Sequence, residues 1–156
     1  MGMISVWVPG HPRTKGSTRR QGGRIVRADT DASGHSASAT WEFQVQQAVA
    51  TRPLGDPRLT GPVFVRATFW LPVADVTVKG SGDLDKLLRS VLDALTRAGV
   101  YGDDAQVTRS EQVKYGCLDG EPMGVLLEFE PDDRAGSLRS ALTMNRWRAM
   151  RAQGLT

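Results

Sequence analysis

The sequence predicts an α+β domain: one mixed sheet of about four strands with two helices packed on one face, followed by a basic C-terminal tail. Three observations carry this: the periodic segments run strand, helix, strand, helix, strand, strand; the helical ones have i, i+3, i+4 apolar spacing; and the first strands alternate apolar with polar. At 156 residues the chain is long enough to bury a core unaided. Residues 1–130 read as one unit and residues 131–156 as a basic tail or peripheral helix.

Ile4, Val6 and Val8 alternate with Ser5 and Trp7 until Pro9-Gly10 breaks the run, which predicts a strand ending in a turn. Residues 11–38 hold few large apolar side chains and carry Arg13, Lys15, Arg19, Arg20, Arg24 and Arg27, so a long basic loop is expected, with Arg24-Ile25-Val26-Arg27 pairing as a small strand. Trp41, Val45, Ala48 and Val49 predict a helix over 38–51, closed by Arg52-Pro53. A turn-rich link over 53–62 leads to a strand over 63–71 whose Val63, Val65, Ala67 and Phe69 point inward. A polar loop follows Pro72. Leu84, Leu87, Leu88, Val91, Leu92, Leu95 and Ala98 then give a helix over 83–98 with a wide apolar face and Gly99 as its stop. Strands are expected from about Gln106-Val107 to Tyr115 and over 124–130, and Trp7, Trp41 and Trp70 are expected in or near the core. The arginine-rich segment 137–153 reads as a basic helix or an arm.

Composition narrows the function. A formal charge of +3 and a pI near 9.4 make polyanion binding compatible with the chain without requiring it. Cys117 is the sole cysteine, which excludes an internal disulfide and a thiolate-rich zinc site. No apolar run approaches the roughly 20 residues that span a bilayer, and the first nine residues lack a signal-peptide pattern, so a cytoplasmic chain with no membrane partner is expected.

Against this basic background, Asp83, Asp85, Asp103 and Asp104 cluster around one amphipathic helix. Hard carboxylates bind hard cations, and a basic chain attracts phosphate, so the combination points to metal-assisted chemistry on nucleic acid. A plainer reading makes Asp83 an N-cap and Asp85 a first-turn acid favoured by the helix dipole. In an extended approach over Ser81-Gly82, Asp83 and Asp85 could instead face one ion. Arg89 and Asp93 follow at one-turn intervals, forming either a surface ladder of ion pairs or a phosphate-holding arginine oriented by Asp93. An Asp-rich turn accounts for one of Asp103 and Asp104 but not equally for both. With about 1.5 Å per residue the helix is about 24 Å long, so Asp104 reaches the Asp83 end only if the next strand runs back past it or two chains meet. An EF-hand fits worse, because Leu87 and Leu88 stand where ligands and glycine belong. His11 and His35 lie in the polar loop with no evident partner.

Taken together, Asp83-Leu84-Asp85, Arg89, Leu92-Asp93-Ala94-Leu95, Gly99-Val100 and Asp103-Asp104-Ala105-Gln106-Val107 resemble the RusA family of Holliday junction resolvases, found in phages and prophages. The segment Pro12-Arg13-Thr14-Lys15-Gly16-Ser17-Thr18-Arg19 is similar to that family's Pro-x-x-Lys-Gly-x-x-Arg loop. The resemblance runs from about Ile4 to Phe129. It implies a homodimeric, Mg²⁺-dependent endonuclease, with Mn²⁺ as an alternative ion, that nicks a four-way DNA junction symmetrically during recombination and repair. The metal aspartates it implies are Asp83, Asp85 and Asp104, and the loop cations would hold DNA. The family's catalytic lysine falls on Arg89 and its usual asparagine on Lys86. Arginine keeps the positive charge but does not give up a proton, so the resemblance assigns charge stabilisation to Arg89, with Lys86 as the other candidate. Two rival functions remain: a non-catalytic nucleic-acid-binding domain, and a metal-dependent nucleotidyl- or phosphoryl-transfer enzyme.

Overall fold

The computed structural model of the chain describes residues 2–16, 18–52, 58–77, 82–134 and 138–154, with residues 138–144 described by their backbone alone. Four strands form one sheet in the order β1-β6-β4-β5, where β1 is Ile4–Pro9, β4 Val63–Pro72, β5 Val107–Cys117 and β6 Gly124–Pro131. The β1–β6 and β6–β4 pairs are antiparallel and β4–β5 is parallel, so the sheet is mixed as expected. A parallel neighbour cannot be reached by a tight turn; the chain must cross over the sheet, and the helix α3 (Leu84–Arg97) makes that crossing. Consequently α3 begins beside the C-terminal end of β4 and delivers the chain to the N-terminal end of β5.

The helix α1 (Ala37–Ala50) packs beside α3 on the inner face of the sheet. Trp41, Val45 and Val49 of α1 and Leu87, Val91, Ala94 and Leu95 of α3 meet Val63, Val65, Ala67 and Phe69 of β4 and Val125, Leu127 and Phe129 of β6, all fully buried. Each large apolar side chain so buried stabilises the domain by about 1.5–3 kcal/mol before entropy is subtracted. Ser36 caps α1, accepting a hydrogen bond from the Ala39 N–H at 3.2 Å. Trp41 lies in this core, but Trp7 and Trp70 stand on the opposite face of the sheet, edge to face at 5.5 Å, with Trp7 41% exposed. The β1 alternation that points Val6 and Val8 inward turns Trp7 outward.

The basic segment is ordered into a second, two-stranded sheet: β2 (Thr18–Gln21) pairs antiparallel with β3 (Arg24–Arg27). Its two-residue turn is Gly22-Gly23, with φ of +54° and +79°, the left-handed pair that a tight hairpin needs and glycine supplies at little cost. The sequence shows β3 through Ile25-Val26, whereas Thr18-Arg19-Arg20-Gln21 has no strand signal and becomes β2 only because the turn returns it to β3. After β4 a short helix α2 (Val73–Thr77) replaces the start of the expected loop. The remainder of that loop, 78–81, and part of the link expected over 53–62 lie outside the described residues, as do Ser17 and Ser137. The tail forms a helix, α4 (Leu138–Ala152). No helix among the described residues is long and apolar enough to cross a membrane.

Candidate active site

The head of α3 gathers most of the polar residues singled out above. Asp83 occupies the N-cap position in extended conformation, yet its carboxylate makes no capping hydrogen bond to the helix. It pairs instead with Lys86 at 2.9 Å. That hydrogen bond, together with the charge of Asp83, holds the Lys86 ammonium above its usual range. Asp85 in the first turn and Arg89 one turn later are exposed, and neither side chain makes a hydrogen bond or ion pair with the described residues. The ladder in which Arg89 would meet Asp93 does not form: Asp93 pairs with Lys15. The Lys15 backbone N–H also donates to the Lys86 carbonyl at 3.2 Å, which seats the basic loop along α3.

Three further groups reach the same place from distant parts of the chain. Lys114 of β5 donates to the Gly82 carbonyl at 2.7 Å. His11 meets Asp75 of α2 at 2.8 Å between Nε2 and Oδ2. Backbone closes in as well, since a Cβ at Gly82 would lie 2.4 Å from the Asp75 carbonyl oxygen and 3.2 Å from Lys114 Nζ. Gly82→Ala therefore has to displace the segment that presents Asp83 and Asp85. The variant is expected to lose about 1–3 kcal/mol of stability and at least about tenfold in DNA cleavage, read by urea unfolding and by turnover on a four-way junction. Wild-type turnover would show that the head of α3 tolerates the shift.

Asp103 and Asp104 divide the two roles that the sequence left open. The Asp103 carboxylate accepts from the Ala105 N–H at 2.8 Å, while Gln106 Oε1 accepts from the backbone N–H groups of Gly102 at 2.7 Å and Asp103 at 3.3 Å. This reciprocal cap fixes a single 3₁₀ turn, Asp104–Gln106, which the Gln106 amide ties to the carbonyls of Leu59 and Gly61. Asp103 thus builds the turn, and the exposed Asp104 carboxylate makes no hydrogen bond or ion pair with the described residues. Buried Tyr101 donates to the Leu92 carbonyl at 3.1 Å and holds the turn against α3; burial pushes its phenol up, with Asp104 and Asp93 adding to the rise.

Topology keeps Asp104 away from Asp83 and Asp85. The 3₁₀ turn leads into β5, which does run back along α3, but it brings Lys114 to the Asp83 end and leaves Asp104 at its start. The 14 residues of α3 span about 21 Å at about 1.5 Å per residue. Accordingly, no three acidic, histidine or cysteine side chains among the described residues gather in a group that could hold a metal ion.

The loop cations also differ in their surroundings. Arg13, Arg20 and Arg24 are exposed and make no ion pair with the described residues. Arg19 donates to the Thr30 carbonyl and to Gln21, and Lys15 is held by Asp93. Arg27 is anchored more firmly, donating through both terminal nitrogens to Glu42 at 2.8 and 2.7 Å. Glu42 is fully buried on α1 and also accepts from Arg97 of α3 at 2.8 Å. Burial alone would raise its carboxyl; the two guanidinium groups outweigh that and hold it below the usual range. Asp29 adds a second tether, accepting from Ser36 Oγ and the Ser38 N–H, both at 2.7 Å. The hairpin is therefore fastened at its base, with Arg20 and Arg24 toward its tip.

A family model described as Endodeoxyribonuclease RusA matches residues 9–122 of the 156. The chain belongs to the RusA family. A search of curated proteins returns no match. Membership in the RusA family supports a nuclease that resolves Holliday junctions, with branched DNA as its substrate. The matched segment contains the seated basic loop, the hairpin, α3 and the turn bearing Asp104. It stops short of β6, although β6 sits between β1 and β4 and completes the sheet that positions the RusA segment. Lys114, the His11–Asp75 pair and Glu42 escaped the sequence reading. Only Lys114 left a trace: in register with Phe69, it shares the sheet face that β4 turns toward the helices, where a lysine signals a polar edge to the core.

Proposed function

We propose that this RusA-family protein is a divalent-metal-dependent endonuclease, served by Mg²⁺ or Mn²⁺, that nicks four-way DNA junctions as a two-fold dimer. The observation that carries this reading is the placing of exposed Asp85 and exposed Arg89 one turn apart, both with side chains that make no hydrogen bond or ion pair with the described residues, within the segment matched to a deoxyribonuclease family. In a purely structural helix start such groups would be spent on caps and surface pairs.

The donor set at the head of α3 fits a hard divalent ion. Magnesium is commonly bound by one or two carboxylates, with water and substrate phosphate filling the remaining positions, and Asp83 and Asp85 supply that number. When bound, such an ion supplies charge neutralisation at the scissile phosphate and an acidified water for hydrolysis to 5′-phosphate and 3′-hydroxyl ends. Arg89, permanently charged, offers two parallel donors to phosphate oxygens and stabilises the negative charge that grows on them. Lys86 partly neutralises Asp83. The tip of the β2–β3 hairpin and Arg13 contact backbone phosphates, which positions a branched duplex without reading bases. Asp104 joins the site from the other chain: two-fold pairing that lays the two α3 helices antiparallel sets Asp83 and Asp85 of each protomer near Asp104 of the partner subunit. Such a dimer has two sites, as symmetric nicking of a two-fold junction requires. A role in recombination and repair follows from that substrate.

Arg89→Ala is expected to lower turnover by about 10²–10³-fold, with Arg89→Lys recovering part of it and Lys86→Ala costing less than Arg89→Ala. A larger loss from Lys86→Ala would transfer the phosphate-stabilising role to Lys86. The function as a whole is tested by incubating a four-way junction and a linear duplex with the protein in Mg²⁺ and in EDTA. Paired nicks in the junction alone, abolished by EDTA, are expected. Binding without cleavage would favour a non-catalytic DNA-binding module.

A further inference from the structure

Helix α4 lies beyond the family-matched segment, which ends at residue 122. Its sequence, Leu138–Ala152, contains Arg139, Arg146, Arg148 and Arg151 and no acidic residue. Residues 145–152 are exposed without interruption, so the last two turns are uncovered on every side, including Trp147 at 43% and Met150 at 38%. Arg151 lies over the Trp147 ring at 5.3 Å. A helix of 15 residues whose last two turns bury no apolar face, and with no acid to pair with its arginines, is marginal in water, where isolated helices shorter than about 12–15 residues barely persist. The last two turns bury no apolar face, and no acid of the helix answers its positive charge.

Polyanion is the partner that supplies what is missing. Arg146 and Arg148 stand about 200° apart around the axis at 3.6 residues per turn, which puts guanidinium groups on opposite flanks. A helix lying in the major groove of duplex DNA meets phosphates on both walls, and that arrangement uses opposed flanks as a one-sided surface would not. Each arginine–phosphate pair releases condensed counterions, so the energy is sequence-independent and falls with salt. We infer that α4 is a second DNA-binding element of this chain, docking along a duplex arm and adding phosphate pairs beyond those of the family-matched domain. This rests on the reading that the chain acts on DNA.

The test uses the full-length protein with Arg139, Arg146, Arg148 and Arg151 all changed to Gln, compared with wild type on a linear duplex and on a four-way junction over a range of salt. The slope of log affinity against log salt is expected to flatten by about two to four, at about 0.9 for each phosphate that is no longer neutralised. Wild type should also gain helical circular dichroism on adding duplex, and the variant should not. Equal slopes with wild-type cleavage would overturn the role of α4 and leave the nuclease reading standing. Equal slopes with a fall in mass from dimer to monomer would assign α4 to the subunit interface and overturn it as well. Absence of any DNA binding by wild type would remove both readings.

Discussion

Asp85→Asn is expected to abolish cleavage of a four-way junction while leaving junction binding as tight as wild type or tighter. The substitution removes one negative charge and one hard oxygen ligand and leaves every basic side chain in place. Since even removing a residue that merely orients a metal ligand costs about 10–100-fold, loss of the ligand itself should exceed about a hundredfold. The Asp85 side chain is exposed and makes no hydrogen bond or ion pair with the described residues, so stability should change by less than about 0.5 kcal/mol. That combination separates a catalytic acid from a helix-start acid, whose loss would lower stability slightly and spare turnover. Single-turnover cleavage and gel-shift binding on one junction, with urea unfolding alongside, decide between them.

Glu42→Gln should cost more stability than any polar substitution at the head of α3. Its carboxylate is fully buried and answers two guanidinium groups, Arg27 and Arg97, at 2.7–2.8 Å. Glutamine leaves behind two guanidinium groups that are 25% and 49% exposed and turn to water, so the cost is that of charge-assisted hydrogen bonds lost at a buried acceptor, about 1.5–3 kcal/mol. The pH dependence has a definite sign. Because the folded carboxyl is held below its ordinary value of 4.5, its contribution is complete above that value and is lost as pH falls through the depressed folded value. The glutamine variant should therefore lose most stability at neutral pH and show a weaker acid transition. The variant should also release the β2–β3 hairpin, whose Arg27 is the anchored end, and weaken DNA binding even where the domain stays folded. A loss below about 1 kcal/mol at neutral pH would mean that Arg27 and Arg97 find other partners.

Local pattern makes the larger elements legible in the sequence. Alternation along residues 63–71 and the i, i+3, i+4 spacing from Leu84 to Ala98 each report a face that must be buried; the strand face is fully buried, and the helix face is buried at Leu87, Leu88, Val91 and Leu95 and partly so at Leu84, Leu92 and Ala98. What escapes is set by groups remote in sequence. His11 and Asp75 are 64 residues apart, and nothing in either neighbourhood names the other. Glu42 sits among Trp41, Val45 and Val49 and looks like an ordinary exposed helix acid until Arg27 and Arg97 arrive from other elements. Size alone sends Trp7 toward the core, although the strand alternation turns it outward. The candidate site is half legible: Asp83, Asp85, Lys86 and Arg89 lie within two helical turns and stay together, whereas the position of Asp104 depends on where the β4–α3–β5 crossover sends the chain.

That crossover makes the two-chain site the claim most open to test. Asp85→Asn and Asp104→Asn proteins carrying different tags should each be inactive as homodimers. When coexpressed and purified as a mixed dimer, one site holds both defects and the other holds none. The mixed dimer is expected to nick one strand of a four-way junction in Mg²⁺ at up to about half the wild-type rate per dimer, without the paired cut. A mixed dimer as inactive as its parents would contradict the account, because it would mean that each site draws Asp85 and Asp104 from the same chain.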